Sequence, residues 1–378
     1  MKYFIIAGEA SGDLHGANLM RELKIADPEA QFCFLGGDLM EAIGGKPLIH
    51  YRQMAFMGVV SVVLHLRTVL RNMTVCKNAI RYFSPDVLIL IDYPGFNLRV
   101  AKYAKETLGL KVFYYISPKL WAWKEYRIKH IKKLVDHMFC IFPFEIEFYK
   151  KHNCLQASYV GNPLIDAIET RSEKDEKFSS FTQRNSLSNK PIVALLAGSR
   201  KKEITDNLPK MLALMSHFSD YQFVVAGAPG INPSFYSSYL SSSGVGVVYG
   251  QTYALLQQAT AAIVTSGTAT LETALLNVPQ VVTYSVKFGR IVQFLYKLLI
   301  HTPYFSLVNI IAGKPVIIEL LGAQVTTQAL TDELERLLHD STYRNAMLQQ
   351  YSLIKEQLGK AGASAKAAKA MVAQLEAR

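Results

Sequence analysis

Short apolar runs recur along the chain, each ending in a polar or glycine-containing turn and followed by a stretch with helical spacing. Lys2–Ala7, Gln31–Leu35, Asp86–Asp92, Lys111–Ile116, His137–Phe142 and Ser158–Gly161 form one series. Ile192–Ala197, Gln222–Ala226, Val245–Tyr249 and Ala261–Thr265 form a second. Runs of this kind suit parallel strands buried on both faces, and their alternation with helices predicts βαβ units. Between the two series, residues 171–190 read RSEKDEKFSSFTQRNSLSNK, a polar, serine-rich stretch that predicts a domain boundary. The expected fold is therefore α/β, with two Rossmann-like, doubly wound domains and a cleft between them. Their bounds are 1–170 and 191–349, joined by a linker over 171–190. A length of 378 residues, at roughly 150 residues per domain, agrees with two.

The unit Ile263–Tyr284, IVTSGTATLETALLNVPQVVTY, reads as strand, tight loop, helix and second strand. Ser266-Gly267-Thr268 ends the strand, Ser266 or Thr268 is placed to cap the helix, and Pro279 stops it. Free N–H groups at a helix start attract anions. Glu272, four residues beyond Thr268, falls roughly 6 Å further along the axis, about the step from a pyrophosphate to a ribose diol. Two readings stand at this level: a nucleotide site, or an ordinary βαβ unit with a solvated glutamate. Arg200, in the turn Gly198-Ser199-Arg200, lies at the carboxyl end of its own strand, where a two-pronged pair with phosphate is feasible.

In the first series the strand Lys2–Ala7 runs into Gly8-Glu9-Ala10-Ser11-Gly12-Asp13 and a helix from Leu14 to about Lys24. The glycine spacing is not that of a dinucleotide fingerprint, and two carboxylates stand where a pyrophosphate would approach. Glu9 and Asp13 suit sugar hydroxyls or acid/base work, and equally the capping of a helix by Ser11 and Asp13. Asp92 closes the strand DVLILID at the edge where open α/β sheets bind ligands. Met54–Leu70 is more apolar than one helix face needs, which fits either core or shallow insertion at a membrane interface beside Arg67 and Arg71. Ser117–Trp123 holds both tryptophans and precedes a basic helix. That pairing hints at nucleic acid, yet no zinc finger, RRM or helix-turn-helix pattern accompanies it.

Half of the residues are hydrophobic and only 19% are charged, while the net charge is +11, which favours an anionic partner. The longest apolar stretch, Met54–Leu64, is eleven residues against the ~20 that span a bilayer. The apolar N-terminal segment is too short for a signal peptide. Cys33, Cys76, Cys140 and Cys154 show no metal-ligand spacing, which fits a reducing cytoplasm without structural zinc.

Taken together, AGEASGDLHGA (Ala7–Ala17), IDYPGFNL, YYISPKLWAW (Tyr114–Trp123), LAGSR, TSGTATLE and SLVNIIAG resemble the lipid A disaccharide synthase family of Gram-negative bacteria, in the right order over nearly the whole chain. The resemblance implies a GT-B glycosyltransferase whose last helix, about 350–378, packs back on the first domain. It implies the substrates UDP-2,3-diacylglucosamine and 2,3-diacylglucosamine 1-phosphate, and a β-1′,6-linked disaccharide and UDP as products. It further implies peripheral attachment to the cytoplasmic face of the inner membrane, through surface lipids. Carried over by motif, Asp92 matches the general base, Glu9 and Asp13 the acceptor-side acids, and Arg200, Ser266, Gly267, Thr268, Glu272 and Asn309 the donor side. Val308 and Gly322 stand where the family often has proline and glutamine, and Gly95 where it has an acid. No paired acids spaced for a metal are evident, so no cofactor or metal is expected and the helix start and arginine take magnesium's place. Met54–Leu70 and Phe288–Ile300 are the candidates for acyl-chain contact.

Three rivals remain: a UDP-sugar epimerase of the same architecture, a non-catalytic lipid- or nucleic-acid-binding protein, and a dehydrogenase with Asp38 as its ribose acid. Glycine spacing disfavours the last, and the family motifs weigh against nucleic acid. A homo-oligomer is left open.

Overall fold

Strand β1 (Lys2–Ala7) is buried from its second residue to its last, as a central strand covered by helices on both faces must be. Burying side chains the size of Ile5 and Ile6 contributes about 1.5–3 kcal/mol each. The computed structural model describes residues 1–54, 66–121, 125–240, 244–284 and 303–377. Beside β1 run β2 (Gln31–Gly36), β3 (Ile49–His50), β4 (Val87–Ile91), β5 (Lys111–Tyr115), β6 (His137–Cys140) and β7 (Ala157–Tyr159). All pair in parallel, in the order β3-β2-β1-β4-β5-β6-β7. The direction of winding reverses between β1 and β4, and that switch point is where such sheets open a crevice at their carboxyl edge. Register sets Ala7 beside Ile91 and Ile91 beside Tyr115, so the loops after β1, β4 and β5 leave the sheet side by side.

A second parallel sheet contains β8 (Ile192–Leu196), β9 (Gln222–Gly227), β10 (Gly246–Tyr249), β11 (Ala259–Thr265), β12 (Gln280–Tyr284) and β13 (Glu319–Leu321). Its order is β10-β9-β8-β11-β12-β13, with the switch point between β8 and β11. Each sheet is thus a Rossmann-like, doubly wound unit.

The first unit is Met1–Asp166 together with Leu358–Arg378, and the second is Ala167–Gln357. Helix Ala363–Glu376 belongs to the first, packed on helix Ala10–Ala26. Ala17, Ala367 and Ala368 are buried, and such small side chains let the two backbones approach closely. Asp166 fastens its start by accepting from the backbone N–H groups of Gly362, Ala363 and Ser364 at 2.6, 3.2 and 3.0 Å. The stretch 171–190, expected as a linker, lies inside the second unit and carries helix Phe178–Arg184. Its composition is polar because most of it is exposed, but Phe181 is buried in the second core and Phe178 and Leu187 pack against that core.

The apolar stretch Met54–Leu70 is described only at its ends: Met54 is buried, whereas Leu66 and Leu70 are exposed on helix Leu66–Phe83. Its centre, the segment Phe288–Ile300 and Trp123 lie outside the described residues.

Candidate functional site

At the first switch point the chain leaves β4 through Asp92 and Tyr93, which have φ of 41° and 46°. Consecutive left-handed non-glycine residues cost of order 1–3 kcal/mol each, and they persist only where the surroundings dictate them. Here the surroundings do. Fully buried Asn97 donates Nδ2 to the carbonyl oxygens of Ile91 (3.2 Å) and Asp92 (2.7 Å). The Tyr114 hydroxyl donates to the Asp92 carbonyl, and the Asp92 N–H donates to the Tyr115 carbonyl at 3.3 Å. The Tyr93 hydroxyl donates to the Met54 carbonyl at 2.6 Å, and the Tyr93 ring fills the space over Gly8, where any Cβ would overlap it.

The half-buried Asp92 carboxyl is thereby fixed at the carboxyl edge. Burial pushes its pKa up, against the opposing pull of the Lys119 charge and the Tyr93 backbone N–H. A carboxylate of raised basicity on an over-determined backbone is suited to taking a proton.

Glu9 joins it. One residue beyond Gly8, it occupies the N-cap position of helix Ala10–Ala26 without a side-chain capping bond, and its charge helps to raise the Tyr93 phenol. Asp13 turns away instead. Buried, it accepts from the backbone N–H groups of Gly37 (2.8 Å), Leu39 (3.1 Å) and Met40 (3.1 Å), which ties the first helix to the start of helix Asp38–Gly44. Sequence offered Asp13 as an acid/base group or a cap for its own helix; the geometry makes it the anchor of the next one. Asp38, the dehydrogenase candidate, pairs with Arg52 at 2.9 Å and His50 at 3.3 Å.

The loop after β5 is also fixed. Ile116 has φ of 66°, the buried Ser117 hydroxyl bonds the Tyr149 hydroxyl at 2.7 Å, and Trp121 Nε1 donates to Glu145 Oε1 at 3.3 Å. Glu145 Oε2 accepts from the Ile141 and Phe142 N–H groups at 3.2 and 3.1 Å, and burial pushes its carboxyl up to about 8. Trp121 stands edge-on to Phe144, so this aromatic is engaged with protein rather than displayed for a nucleobase.

In the second unit the switch point brings together the ends of β8 and β11. Ser266 Oγ donates to the Phe305 carbonyl at 3.3 Å, and Thr268 is exposed and makes no capping bond, so neither hydroxyl caps helix Ala269–Leu275 as expected. Beyond its two chain neighbours, no described residue has an atom within 4 Å of where a Cβ on Gly267 would sit. Arg200 precedes helix Lys201–Leu212 and lays Nη1 on Glu203 Oε1 at 2.6 Å, while Glu203 Oε2 accepts from the Ser199 N–H at 3.0 Å. The half-buried Glu272 accepts from the Tyr253 hydroxyl at 2.9 Å, and burial raises its pKa.

Asn309 is fully buried, and its side chain is spent on backbone. Oδ1 accepts from Val316 (2.8 Å) and Ile317 (3.0 Å), and Nδ2 donates to the Ile317 carbonyl (2.9 Å). It therefore shapes the 313–317 turn and holds no side-chain hydrogen-bonding group out for a ligand. Glu319, on β13, holds the Phe305 and Ser306 N–H groups at 3.2 and 2.8 Å.

Asn97, Tyr114, Glu145, Glu203 and Tyr253 escaped the sequence reading as site residues. The spacing of Arg200 and Glu203, one helical turn apart, was a signal that could have found Glu203. Tyr114 and Tyr253 act across 22 and 19 residues, which no local pattern encodes, whereas Asn97 and Glu145 lie within 6 residues of the backbone groups they hold. Among the described residues no group of three or more His, Cys, Asp or Glu side chains is placed to hold a metal ion, and no helix is long and apolar enough to cross a membrane.

A family model described as Lipid-A-disaccharide synthetase matches residues 3–373. The chain is 36% identical to the lipid-A-disaccharide synthase of Trichlorobacter lovleyi, over 99% of this chain and 98% of that one. It is 37% identical to that of Coxiella burnetii, over 97% and 96%. Among solved structures, the UDP-GlcNAc 2-epimerase of Neisseria meningitidis bound to UDP-GlcNAc superposes with a TM-score of 0.71 at 15% identity, over 100% of both chains. The glycotransferase of kitacinnamycin gives 0.65 at 12% identity, over 99% of each. At such identities the likeness concerns the fold alone, which is the one shared by GT-B glycosyltransferases and these epimerases.

Proposed function

The chain belongs to the lipid-A-disaccharide synthetase family, and from that premise we propose that it transfers the sugar of UDP-2,3-diacylglucosamine to the 6-hydroxyl of 2,3-diacylglucosamine 1-phosphate. The products are UDP and the β-1′,6-linked disaccharide 1-phosphate. The family match over residues 3–373 carries this reading.

The reaction is a single displacement with inversion. Asp92 accepts the proton as the acceptor oxygen attacks the anomeric carbon, and the bond to UDP breaks. Its raised basicity and fixed backbone suit that step. Glu9, at the same edge, orients an acceptor hydroxyl. Asp13, bonded to three backbone N–H groups, holds the neighbouring loop in place. On the donor side Arg200 swings from Glu203 to the pyrophosphate, and the open backbone at Gly267, between Ser266 and Thr268, receives it. Glu272 grips the ribose diol with an orientation set by Tyr253. Asn309 acts through the turn it clamps. With these groups carrying the charge of departing UDP, turnover needs no divalent metal.

Acylated substrates place the reaction at a membrane surface. A net charge of +11 and the exposed Leu66 and Leu70 support peripheral attachment to the cytoplasmic face of the inner membrane.

The test is UDP release from purified protein in mixed micelles containing both substrates and a chelator. Acceptor-dependent UDP and a disaccharide product are expected. UDP release or a changed sugar without acceptor would move the assignment to an epimerase or hydrolase, and no turnover even with magnesium restored would leave only a binding protein.

A further inference from the structure

Resting on that reading of Asp92, we propose that Lys119 and Arg127 form the binding site for the phosphate monoester of the acceptor. Register places the β5 loop directly beside Asp92, whose N–H bonds the last carbonyl of β5 at 3.3 Å. Within Ser117–Leu120, three residues are buried and only Lys119 is exposed. Ser117 is pinned to Tyr149, Leu120 is 2% exposed and bonds back to the Pro118 carbonyl at 2.6 Å, and Trp121 is tied to Glu145. A loop secured on both sides thus carries one exposed lysine, whose charge acts on the Asp92 carboxyl.

Arg127 comes from the turn Glu125–Arg127, anchored by buried Ile128. The two cations act on adjoining groups: the Lys119 charge is felt at the Asp92 carboxyl and the Arg127 charge at the Tyr114 phenol, which bonds the Asp92 carbonyl. Neither cation is in an ion pair among the described residues. Cations kept unpaired beside a half-buried acid are poised for an anion brought by the ligand. Burial pushes the neighbouring Glu145 carboxyl up to about 8, which weakens its opposition to a bound anion near neutral pH. The attacked 6-hydroxyl and the 1-phosphate of the acceptor branch from the two carbons that flank the ring oxygen, so a base with a cation close beside it matches that layout.

The experiment compares kcat/KM for 2,3-diacylglucosamine 1-phosphate and for the same lipid lacking phosphate, in wild type, Lys119→Ala, Lys119→Arg and Arg127→Ala. Wild type should prefer the phosphorylated acceptor. Lys119→Ala should shrink that preference about 10-fold or more, Arg127→Ala should shrink it too, and Lys119→Arg should restore most of it. Equal losses on both acceptors, or an unchanged preference, would overturn the assignment. So would a matching loss of UDP affinity, which would move the cations to the donor pyrophosphate. Reduced binding to phosphatidylglycerol vesicles with the preference intact would make them a headgroup contact instead. Wild-type protein that makes no disaccharide from either acceptor removes the transferase reading itself, and this site with it.

Discussion

In the first unit the chain leaves its central strands through Gly8-Glu9 and Asp92-Tyr93, and side chains clamp the backbone there. The Tyr93 ring occupies the space over Gly8, and Asn97 and Tyr114 clamp the Asp92 carbonyl in a left-handed turn. In the second unit the chain leaves the corresponding strands through Ser199-Arg200 and Ser266-Gly267-Thr268, with no described residue crowding Gly267 and with Arg200 bonded to Glu203 at 2.6 Å. The strand order is shared over six strands, but the switch points differ in chemistry and in slack. A group that must meet one proton at one place benefits from a backbone that cannot move. A loop that must wrap phosphates benefits from room and from polar groups whose bonds can be exchanged.

The largest break in this contrast is Asp92→Asn, expected to lower kcat about 1,000-fold while leaving the fold intact. Because burial raises the Asp92 carboxyl, the native state holds its proton more tightly than the unfolded chain does, and stability falls as pH rises from the unfolded value to the raised folded one. The neutral asparagine escapes that loss, so the variant should melt no lower than wild type at pH 7. The acidic limb of wild-type kcat should lie above the ordinary carboxylate range of about 4. A limb at the ordinary value would detach Asp92 from the base role.

Arg200→Ala should weaken UDP binding about 10- to 100-fold and leave the pH of that limb unmoved. Asp13→Ala should cost about 2 kcal/mol of stability, seen in denaturant melts, by releasing three backbone N–H groups. The limb should again stay in place; a shift of it would return Asp13 to the acid/base machinery. Smallest is Tyr253→Phe, which should raise the donor KM about fivefold through the loss of one hydrogen bond to Glu272, with little change in kcat.

The parallel strands and the edge position of Asp92 were readable because buried strands write themselves as unbroken apolar runs, and the residue after such a run has a known place. The helix at Ala10 begins four residues earlier than Leu14, with Glu9 as its N-cap and Ser11 and Asp13 in its first turn, polar residues that read as a loop in the sequence. Helix Asp38–Gly44 went unseen: it is short, and its start is satisfied by an aspartate 25 residues upstream. The same limit hid the true work of Asn309, whose partners lie in a turn seven and eight residues on. It also hid the membership of 171–190 in the second unit, since exposed polar residues dominate the composition while one buried phenylalanine fixes the packing.

The division of labour between the units is tested most directly by calorimetric titration of UDP into Asp92→Asn. A dissociation constant equal to that of wild type is expected, in a variant that has lost nearly all turnover. UDP affinity reduced as far as in Arg200→Ala would contradict it, because Asp92 would then belong to the nucleotide site and the first unit would lack its base.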